Sequence, residues 1–313
     1  MKLPHPFRFR PLHTRHTVIR GGVLLLFILT AAMPFYANPA DSLRNEMSRV
    51  TAGLHATVGV SFIHNGRLFT FNDSVHYPMM SVYKVPVALA VLQKMSSTGT
   101  SPATRIEVKR EQWHPDTYSP MREAFRDSST QIRLADLLHY CVAMSDNNAA
   151  DILTAYVGGI TVVARTVESL IGKKMHISET EQDMHENTEN VYNNWCHPSA
   201  MAILLQEIYE GNALDSSARA YFERLMRSTQ TGTDKMPAGL PPGIALGHKT
   251  GSSDRDERGN KAGDNDAGVI YMPDGKRCYA AVFIKDSTES DATNAQTIAT
   301  LTRLIYRFSN KHQ

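Results

Sequence analysis

HATVGVSFIHNGRLFTF, residues 55–71, contains two short runs of alternating apolar and polar residues separated by Asn65-Gly66. An Asn-Gly pair between two such runs is typical of a tight turn joining antiparallel strands. The stretch therefore predicts a β-hairpin, and the patterns on either side of it decide what the hairpin belongs to.

Helical patterns follow this hairpin up to about residue 228. The first predicted helix covers residues 82–95, with Val85, Leu89 and Leu92 on one face. Pro86 falls in its first turn, where proline is tolerated. Further helices are predicted at residues 134–140, 147–156, 160–171, 199–208 and 217–226.

Strand patterns then return at residues 244–249, 266–272 and 278–285, and an amphipathic helix is predicted at 293–308. Strands at both ends with helices between them predict an α/β (α+β) fold, an antiparallel sheet flanked by helices with an all-α insertion domain. The predicted division is a discontinuous α/β domain, residues 41–78 and 228–313, and an all-α domain, residues 79–227. A cleft between two such lobes is a preferred ligand site.

The composition excludes several classes of protein. Of 313 residues, 42% are hydrophobic and 20% charged, which are globular values and not those of a disordered, collagenous or coiled-coil chain. No apolar run reaches the roughly 18–20 residues of a membrane-spanning helix. The net charge of +2, without a long basic block, argues against a nucleic-acid partner.

Residues 1–40 have the layout of a secretory signal peptide. Five basic residues and no acidic one precede an apolar core, residues 22–33, and small residues follow at Ala37 and Ala40. The alternative is an uncleaved N-terminal anchor. Cleavage predicts a periplasmic or secreted protein with no stable membrane association, and its net charge of −3 suits a soluble monomer.

The cysteines and histidines give no sign of a disulfide scaffold or a metal site. Cys141, Cys196 and Cys278 are an odd number with no C-x-x-C pair, and the expected role of each is that of a small buried hydrophobe. The thirteen histidines include neither H-E-x-x-H nor H-x-H-x-D-H. We therefore expect no cofactor and no metal.

A candidate nucleophile lies at the start of the first predicted helix, in Ser81-Val82-Tyr83-Lys84. Residues three apart on a helix share a face, so Lys84 lies within reach of Ser81. A serine hydroxyl is a weak nucleophile until a base takes its proton, and a partly buried lysine can serve as that base. The free backbone N–H groups of the helix start favour negative charge.

Two further motifs follow along the chain. Ser145-Asp146-Asn147 precedes a predicted helix, and Lys249-Thr250-Gly251 ends a predicted strand of the returning sheet. S-x-x-K, S-D-N and K-T-G together are the motif set of class A β-lactamases and penicillin-binding proteins. Across roughly residues 45–310 the chain resembles a class A serine β-lactamase.

This resemblance implies a β-lactamase/transpeptidase-like fold and a hydrolase. The enzyme would open the β-lactam amide of penicillins and cephalosporins through an acyl-serine intermediate and so confer antibiotic resistance. The implied catalytic residues are Ser81, Lys84, Ser145, Glu181 and Lys249. The proton of Ser81 goes either to Lys84 or through water to Glu181, a point that is disputed for the class.

A base that activates water distinguishes a hydrolase from a transpeptidase. The candidates are Glu179, Glu181, Glu186 and Glu189. Glu181 is chosen because the stretch 181–195, which includes His185, resembles the corresponding loop of a PER/VEB-like, extended-spectrum branch of the class. For His185, contact with the water and a structural hydrogen bond both stay open.

The resemblance assigns substrate-binding roles to Tyr118, Asn147, His185, Thr250 and Ser252. Tyr118 would stack on the substrate, and Asn147 would bind its side-chain amide. Thr250 and Lys249 would meet its carboxylate, and the Ser252 N–H would complete an oxyanion hole. Whether Lys235 adds a cation beside that carboxylate stays open, and Asn194 would hold the Glu181 loop in place.

Three other functions remain as alternatives. A D-Ala-D-Ala peptidase, transpeptidase or other penicillin-binding protein would share the three motifs without the glutamate loop. A penicillin-sensing receptor would keep the acyl group on Ser81, and a metal-dependent hydrolase would be inactivated by a chelator.

Overall fold

The computed structural model describes residues 38–125 and 129–312. Within these residues the strands are β1 (Thr57–His64), β2 (Arg67–Phe71), β3 (Tyr77–Pro78), β4 (Arg105–Val108), β5 (Thr130–Arg133), β6 (Met175–His176), β7 (Trp195–Cys196), β8 (Leu246–Ser252), β9 (Lys261–Tyr271) and β10 (Arg277–Ser287).

The helices are α1 (Pro39–Thr51), α2 (Lys84–Thr98), α3 (Pro120–Phe125), α4 (Leu134–Ala143), α5 (Asn147–Val157), α6 (Ile160–Ile171), α7 (Glu181–Glu186), α8 (Pro198–Tyr209), α9 (Ser216–Arg227), α10 (Met236–Gly239) and α11 (Asp291–Lys311). The predicted signal peptide lies outside the described residues apart from its last three.

Five strands form an antiparallel sheet in the order β2-β1-β10-β9-β8, which makes β8 an edge strand. The predicted hairpin is confirmed: His64 pairs with Arg67, and both turn residues, Asn65 and Gly66, have positive φ. The mixed architecture of helices around an antiparallel sheet confirms the predicted fold class.

The sheet is covered on both faces, as the alternation along β10 shows. Val282 and Ile284 point into a core shared with α1 and α11, whereas Tyr279 and Phe283 point into the core of the helical block. Side chains of successive strand residues point to opposite faces, so both sets of β10 are buried. Two apolar cores therefore sandwich one sheet.

Helix α2 lies in the middle of the helical block, and every residue from Lys84 to Leu92 is buried. The single apolar face predicted for it is therefore too narrow. A helix that is buried on all sides belongs to a core and not to a surface. This burial places the ammonium group of Lys84 out of solvent.

Several elements were not predicted. Helix α1 buries only Leu43 and Met47, so its apolar pattern is short. The segment expected to be all-α contains β4 to β7, each two to four residues long, which is shorter than a periodic pattern can reveal. Strands β8 and β9 extend beyond their predicted ends.

The three cysteines are buried and form no disulfide, as expected. Among the described residues, no single helix is long and apolar enough to cross a membrane. Helices α5 and α6, which are joined at a sharp bend, meet the requirement for length and apolar composition only when they are counted together.

Candidate active site

Ser81 lies in a 3₁₀ turn, Met80–Tyr83, and α2 begins at Lys84, two residues later than the predicted helix of residues 82–95. Met80 has a φ of 49°, a left-handed conformation that is uncommon for a residue other than glycine. Ser81 lines a cleft of about 800 Å³ between the helical block and the edge of the sheet. The turn therefore presents the serine hydroxyl to an open cavity.

The edge strand β8 passes directly against this turn. A Cβ atom at Gly251 would lie 2.5 Å from the Met79 carbonyl oxygen and 3.0 Å from the Ser81 nitrogen, so only glycine fits. Ser253 N–H donates to Gly263 of β9. Because successive amides alternate in direction, the Ser252 N–H points to the open edge. The Ser81 and Ser252 amides thus border the same part of the cleft.

The Lys84 ammonium group is the centre of the site and is fully buried. Its Nζ lies 3.0 Å from Ser81 Oγ, 2.7 Å from the Ser145 carbonyl oxygen and 2.6 Å from Asn147 Oδ1. Glu181 Oε1 is the fourth oxygen, at 2.9 Å. The three hydrogen-bonded oxygens match the three protons of the ammonium group, so Glu181 Oε1 contacts Lys84 as an ion pair without a hydrogen bond of its own among the described residues.

Ser145 lies between the two lysines. Its carbonyl oxygen accepts from Lys84, and its Oγ accepts from Lys249 Nζ at 2.8 Å. Ser145 has a φ of 61°, which turns the chain sharply before α5. Asp146 fixes this turn, because its buried carboxylate accepts from the amides of Ala149 and Met121 and from Ser119 Oγ.

Lys249 is fully buried on β8, and its Nζ also donates to the Thr250 carbonyl oxygen at 2.8 Å. Burial and, second, the positive charge of Lys84 lower the pKa of Lys249 to about 7. K-T-G lies within β8 and not at its end, since the strand continues to Ser252.

Glu181 begins α7 inside the segment that joins β6 to β7. Thr180 caps this short helix, and Thr180 and Asp183 form a capping box. Asn194, which is buried, accepts from the amides of Ser178 and Glu179 and donates to the Glu179 carbonyl oxygen. It holds the base of the loop by hydrogen bonds to the backbone.

Asp151 is a residue of the site that the sequence analysis missed. Its two carboxylate oxygens accept from the amides of Glu181 and Gln182, at 2.8 and 2.9 Å. Burial and the neighbouring Glu181 raise the pKa of Asp151 to about 7, although both amides oppose the shift. A usable signal existed: Asp151 follows Asn147 by four residues and so shares its helix face.

Replacing Asp151 by alanine should loosen the Glu181 loop. The Glu181 and Gln182 amides lose their acceptor; the loss costs up to about 1–3 kcal/mol at the partly buried Glu181 amide and less at the exposed Gln182 amide. We expect a lower melting temperature and slower hydrolysis of the acyl-enzyme. Asp151→Asn keeps one acceptor oxygen, so its melting temperature and deacylation rate should lie between those of Asp151→Ala and the unmodified protein. An alanine variant with unchanged stability and deacylation rate would refute this role.

The five predicted substrate-binding residues all line the cleft: Tyr118, Asn147, His185, Thr250 and Ser252. Tyr118 is 58% exposed at the mouth. His185 lies one turn after Glu181 and is exposed, with no hydrogen bond to any residue in the described ranges. Asn147 Nδ2 donates to Thr117 Oγ1, a contact that a substrate amide would have to replace.

Lys235, whose role the sequence left open, is held by an ion pair. Its Nζ is paired with Asp264 at 2.5 Å, and the carboxylate of Asp264 also accepts from Ser252 Oγ at 3.2 Å. Lys261 lies 3.4 Å from the same carboxylate. A buried carboxylate that is surrounded by donors holds them in place, so Lys235 acts here as part of a network behind Ser252.

The buried residues beneath the site include Tyr83 and Cys141, neither of which was predicted to be part of it. Burial and, next, the charge of Glu181 raise the pKa of Tyr83 well above its ordinary value. Burial likewise raises the pKa of the Cys141 thiol to about 12, so it stays protonated at neutral pH.

Comparison with known proteins gives a consistent result. A sequence model described as "Beta-lactamase enzyme family" matches residues 41–309. A relative named beta-lactamase from Bacteroides uniformis is 40% identical over 91% of this chain and 97% of its own length. Beta-lactamase VEB-1 from Pseudomonas aeruginosa is 29% identical over 93% and 98% of the two chains.

The fold has a similar counterpart among solved structures. A class A beta-lactamase from Bacteroides cellulosilyticus superposes with a TM-score of 0.85 and 37% sequence identity. The match covers 88% of this chain and 99% of that one.

Proposed function

Because the chain belongs to the beta-lactamase enzyme family, as a class A serine enzyme of the PER/VEB-like branch, we propose that its β-lactam hydrolysis proceeds through an acyl-enzyme on Ser81. One observation supports this proposal above all. The Lys84 ammonium group contacts both Ser81 Oγ and Glu181 Oε1, so the nucleophile and a carboxylate base share one proton relay.

Acylation begins when Ser81 Oγ attacks the lactam carbonyl carbon. Its proton leaves toward Lys84, directly or through water to Glu181; both routes end in the same cluster of oxygens. The Ser81 and Ser252 amides then stabilise the negative oxygen of the tetrahedral intermediate. Removing one such donor typically costs about 10²–10³ in rate.

Collapse of this intermediate breaks the C–N bond of the lactam ring, and the nitrogen needs a proton. Ser145 Oγ supplies it in this proposal. Its hydroxyl receives a hydrogen bond from Lys249 Nζ at 2.8 Å, and Lys249 is thereby placed to tune its acidity. The same ammonium group attracts the substrate carboxylate toward Thr250.

Deacylation requires a water molecule and a base. Glu181 takes a proton from water, and the resulting hydroxide attacks the acyl-serine carbonyl. The C–O bond to Ser81 Oγ then breaks, and this oxygen regains a proton from the Lys84–Glu181 pair. Asp151 and Asn194 hold the loop that carries Glu181, so the carboxylate stays close to the acyl group. A transpeptidase passes its acyl group to an amine and does not need a base that activates water, so the Glu181–Lys84 contact favours the hydrolase.

The remaining assignments concern substrate and location. We assign contacts with the acyl side chain to Tyr118, Asn147 and His185, and contacts with the ring carboxylate to Thr250 and Ser252. The resemblance of the Glu181 loop to that of the PER/VEB-like, extended-spectrum branch supports broad cephalosporin hydrolysis. We also propose export by cleavage of the N-terminal segment, a monomeric state, and the domain division into residues 41–78 with 228–313 and residues 79–227.

The experiment that tests the proposal is hydrolysis of a chromogenic cephalosporin by the purified protein. We expect many turnovers per molecule, unaffected by a chelator. A single burst equal to the enzyme concentration, without further turnover, would instead support a penicillin-binding protein.

The pH profile gives a separate prediction about Lys249. With a pKa of about 7, its ammonium group loses its charge as the pH rises through that value, and attraction of the substrate carboxylate weakens. We expect kcat/KM to fall above about pH 7. The fall in kcat should occur at a higher pH than the fall in kcat/KM. The bound substrate carboxylate stabilises the charged form of Lys249 and therefore raises its pKa in the enzyme–substrate complex.

Lys249→Arg is the matched control for this prediction. A guanidinium group stays charged throughout the accessible pH range, so the alkaline fall should disappear even if overall activity drops. An arginine variant that keeps the same alkaline fall would assign the titration to another group.

A further inference from the structure

Three histidines surround Trp195 on the small sheet formed by β3, β7 and β6. The ring of His76 stacks on the Trp195 ring, with centroids 3.4 Å apart. His197 meets the Trp195 ring edge-on at 5.6 Å, and His176 stacks at 6.1 Å. This cluster lies outside the catalytic site, and no step proposed above uses it.

The strand register makes His76 and His197 cross-strand neighbours. Tyr77 pairs with Cys196 in the antiparallel ladder of β3 and β7, so the preceding residue, His76, lies opposite the following one, His197. Cβ atoms of such pairs are about 4.5–5.5 Å apart. The backbone therefore brings the two imidazoles to the same place.

The two rings pack against Trp195, but within the described ranges neither ring makes a hydrogen bond. The Nδ1 atom of His197 is buried and makes no hydrogen bond in the described part of the chain. His76 likewise has no hydrogen bond to a described residue. His176 differs, because its Nδ1 contacts the Asn193 carbonyl oxygen at 2.7 Å. A buried nitrogen without a partner is costly and requires an explanation.

The separation of the two rings matches what a shared metal ion requires. Metal–nitrogen bonds are about 2.0–2.1 Å long. If the nitrogen–metal–nitrogen angle lies between a right angle and the tetrahedral angle, the centroids of the two imidazole rings are roughly 4.5–5.3 Å apart. The centroids of His76 and His197 are 5.2 Å apart, with 60° between the ring planes.

We propose that His76 and His197 chelate one divalent transition-metal cation of the class that imidazole nitrogen prefers, Cu²⁺, Ni²⁺ or Zn²⁺. Among the described residues no group of three or more histidine, cysteine, aspartate or glutamate side chains is placed to hold a metal ion. The site is therefore a two-histidine site, with water as the remaining ligands.

The electrostatics around the pair limit the affinity, because Lys285 lies close enough to His76 to interact with its ring electrostatically. The positive charge of Lys285 opposes a cation at the same place. Binding is thus weaker than at a site with three or four protein ligands.

The location gives such binding a structural consequence. β3 leads directly to the turn that carries Ser81, and β7 closes the segment that carries Glu181. A metal ion held by His76, directly before β3, and His197, directly after β7, fastens these two segments together. A ligand that binds only the folded protein raises its stability, so the metal should raise the melting temperature.

Calorimetric titration of the full chain with Ni²⁺ tests this proposal, with Trp195 fluorescence as a second readout. We expect one saturable site, quenching of Trp195, and a higher melting temperature. His76→Gln and His197→Gln should each weaken binding by at least about tenfold, because one imidazole cannot chelate. His176→Gln, which changes the third histidine beside Trp195, should bind as the unmodified protein does.

Each variant is first checked for cephalosporin hydrolysis without metal, which shows that it is folded. Undiminished Ni²⁺ binding by both His76→Gln and His197→Gln would overturn the proposal, since the ion would then bind elsewhere. The absence of saturable binding to the unmodified chain by both Ni²⁺ and Cu²⁺ would overturn it as well.

Discussion

Replacing Ser81 by alanine is expected to abolish β-lactam turnover. The variant keeps Lys84, Glu181 and the oxyanion amides but has no oxygen that can form the acyl bond. By comparison with other serine hydrolases, loss of the nucleophile costs roughly 10⁶-fold in kcat. The measurement is steady-state hydrolysis of a chromogenic cephalosporin, with intact mass as a check that no adduct forms.

Ser253→Ala is the matched control. Ser253 lines the same cleft but has no role in the chemistry proposed for it. We expect its kcat to remain within a few-fold of that of the unmodified enzyme. A Ser81→Ala protein that is folded and still turns over substrate would refute the acyl-serine mechanism.

Glu181→Gln has the second-largest expected effect, and it differs in kind. Ser81 should still be acylated, because Lys84 keeps its contacts with Ser81, Ser145 and Asn147. The acyl group should then persist, since a neutral amide cannot take a proton from water. General-base catalysis contributes about 10²–10⁴-fold, so deacylation should slow by that factor.

The measurement is intact mass after mixing with a cephalosporin, followed over time. We expect a long-lived adduct in Glu181→Gln and none in the unmodified enzyme. Glu189→Gln is the control, because Glu189 is another carboxylate of the same segment that lines the cleft. If deacylation stalled in Glu189→Gln and proceeded normally in Glu181→Gln, the assignment of Glu181 as the base would be wrong.

The sequence predicted the elements with a strong period and a clear turn. The hairpin at Asn65-Gly66 and the helices of the central block are each marked by a pattern within a short continuous stretch of sequence. Strands β8 and β9 were predicted too short. Their additional residues, such as Thr250, Ser252 and Asp264, are polar and face the cleft or the network behind it, so no apolar pattern marks them.

The motif residues of the site were predictable because each motif is contiguous. S-x-x-K, S-D-N and K-T-G each occupy only three or four consecutive residues, and the structure brings Ser81, Lys84, Ser145 and Lys249 together. Glu181, chosen by resemblance from four glutamates, lies 2.9 Å from Lys84.

Contacts between separate elements could not be predicted in the same way. Asp151 acts through the backbone amides of Glu181 and Gln182, thirty residues away, and such a contact depends on how α5 and α7 pack. The sequence left the role of Lys235 open. Its carboxylate partner, Asp264, is supplied by β9 and becomes visible only in the folded chain.

A crystal structure of Glu181→Gln soaked with a cephalosporin would test the central claim most directly. The account predicts continuous density from Ser81 Oγ to the former lactam carbonyl carbon. The carbonyl oxygen should lie between the amides of Ser81 and Ser252, and the carboxylate of the ligand beside Lys249 and Thr250. An intact lactam ring in the cleft, or an adduct on any other residue, would contradict the account.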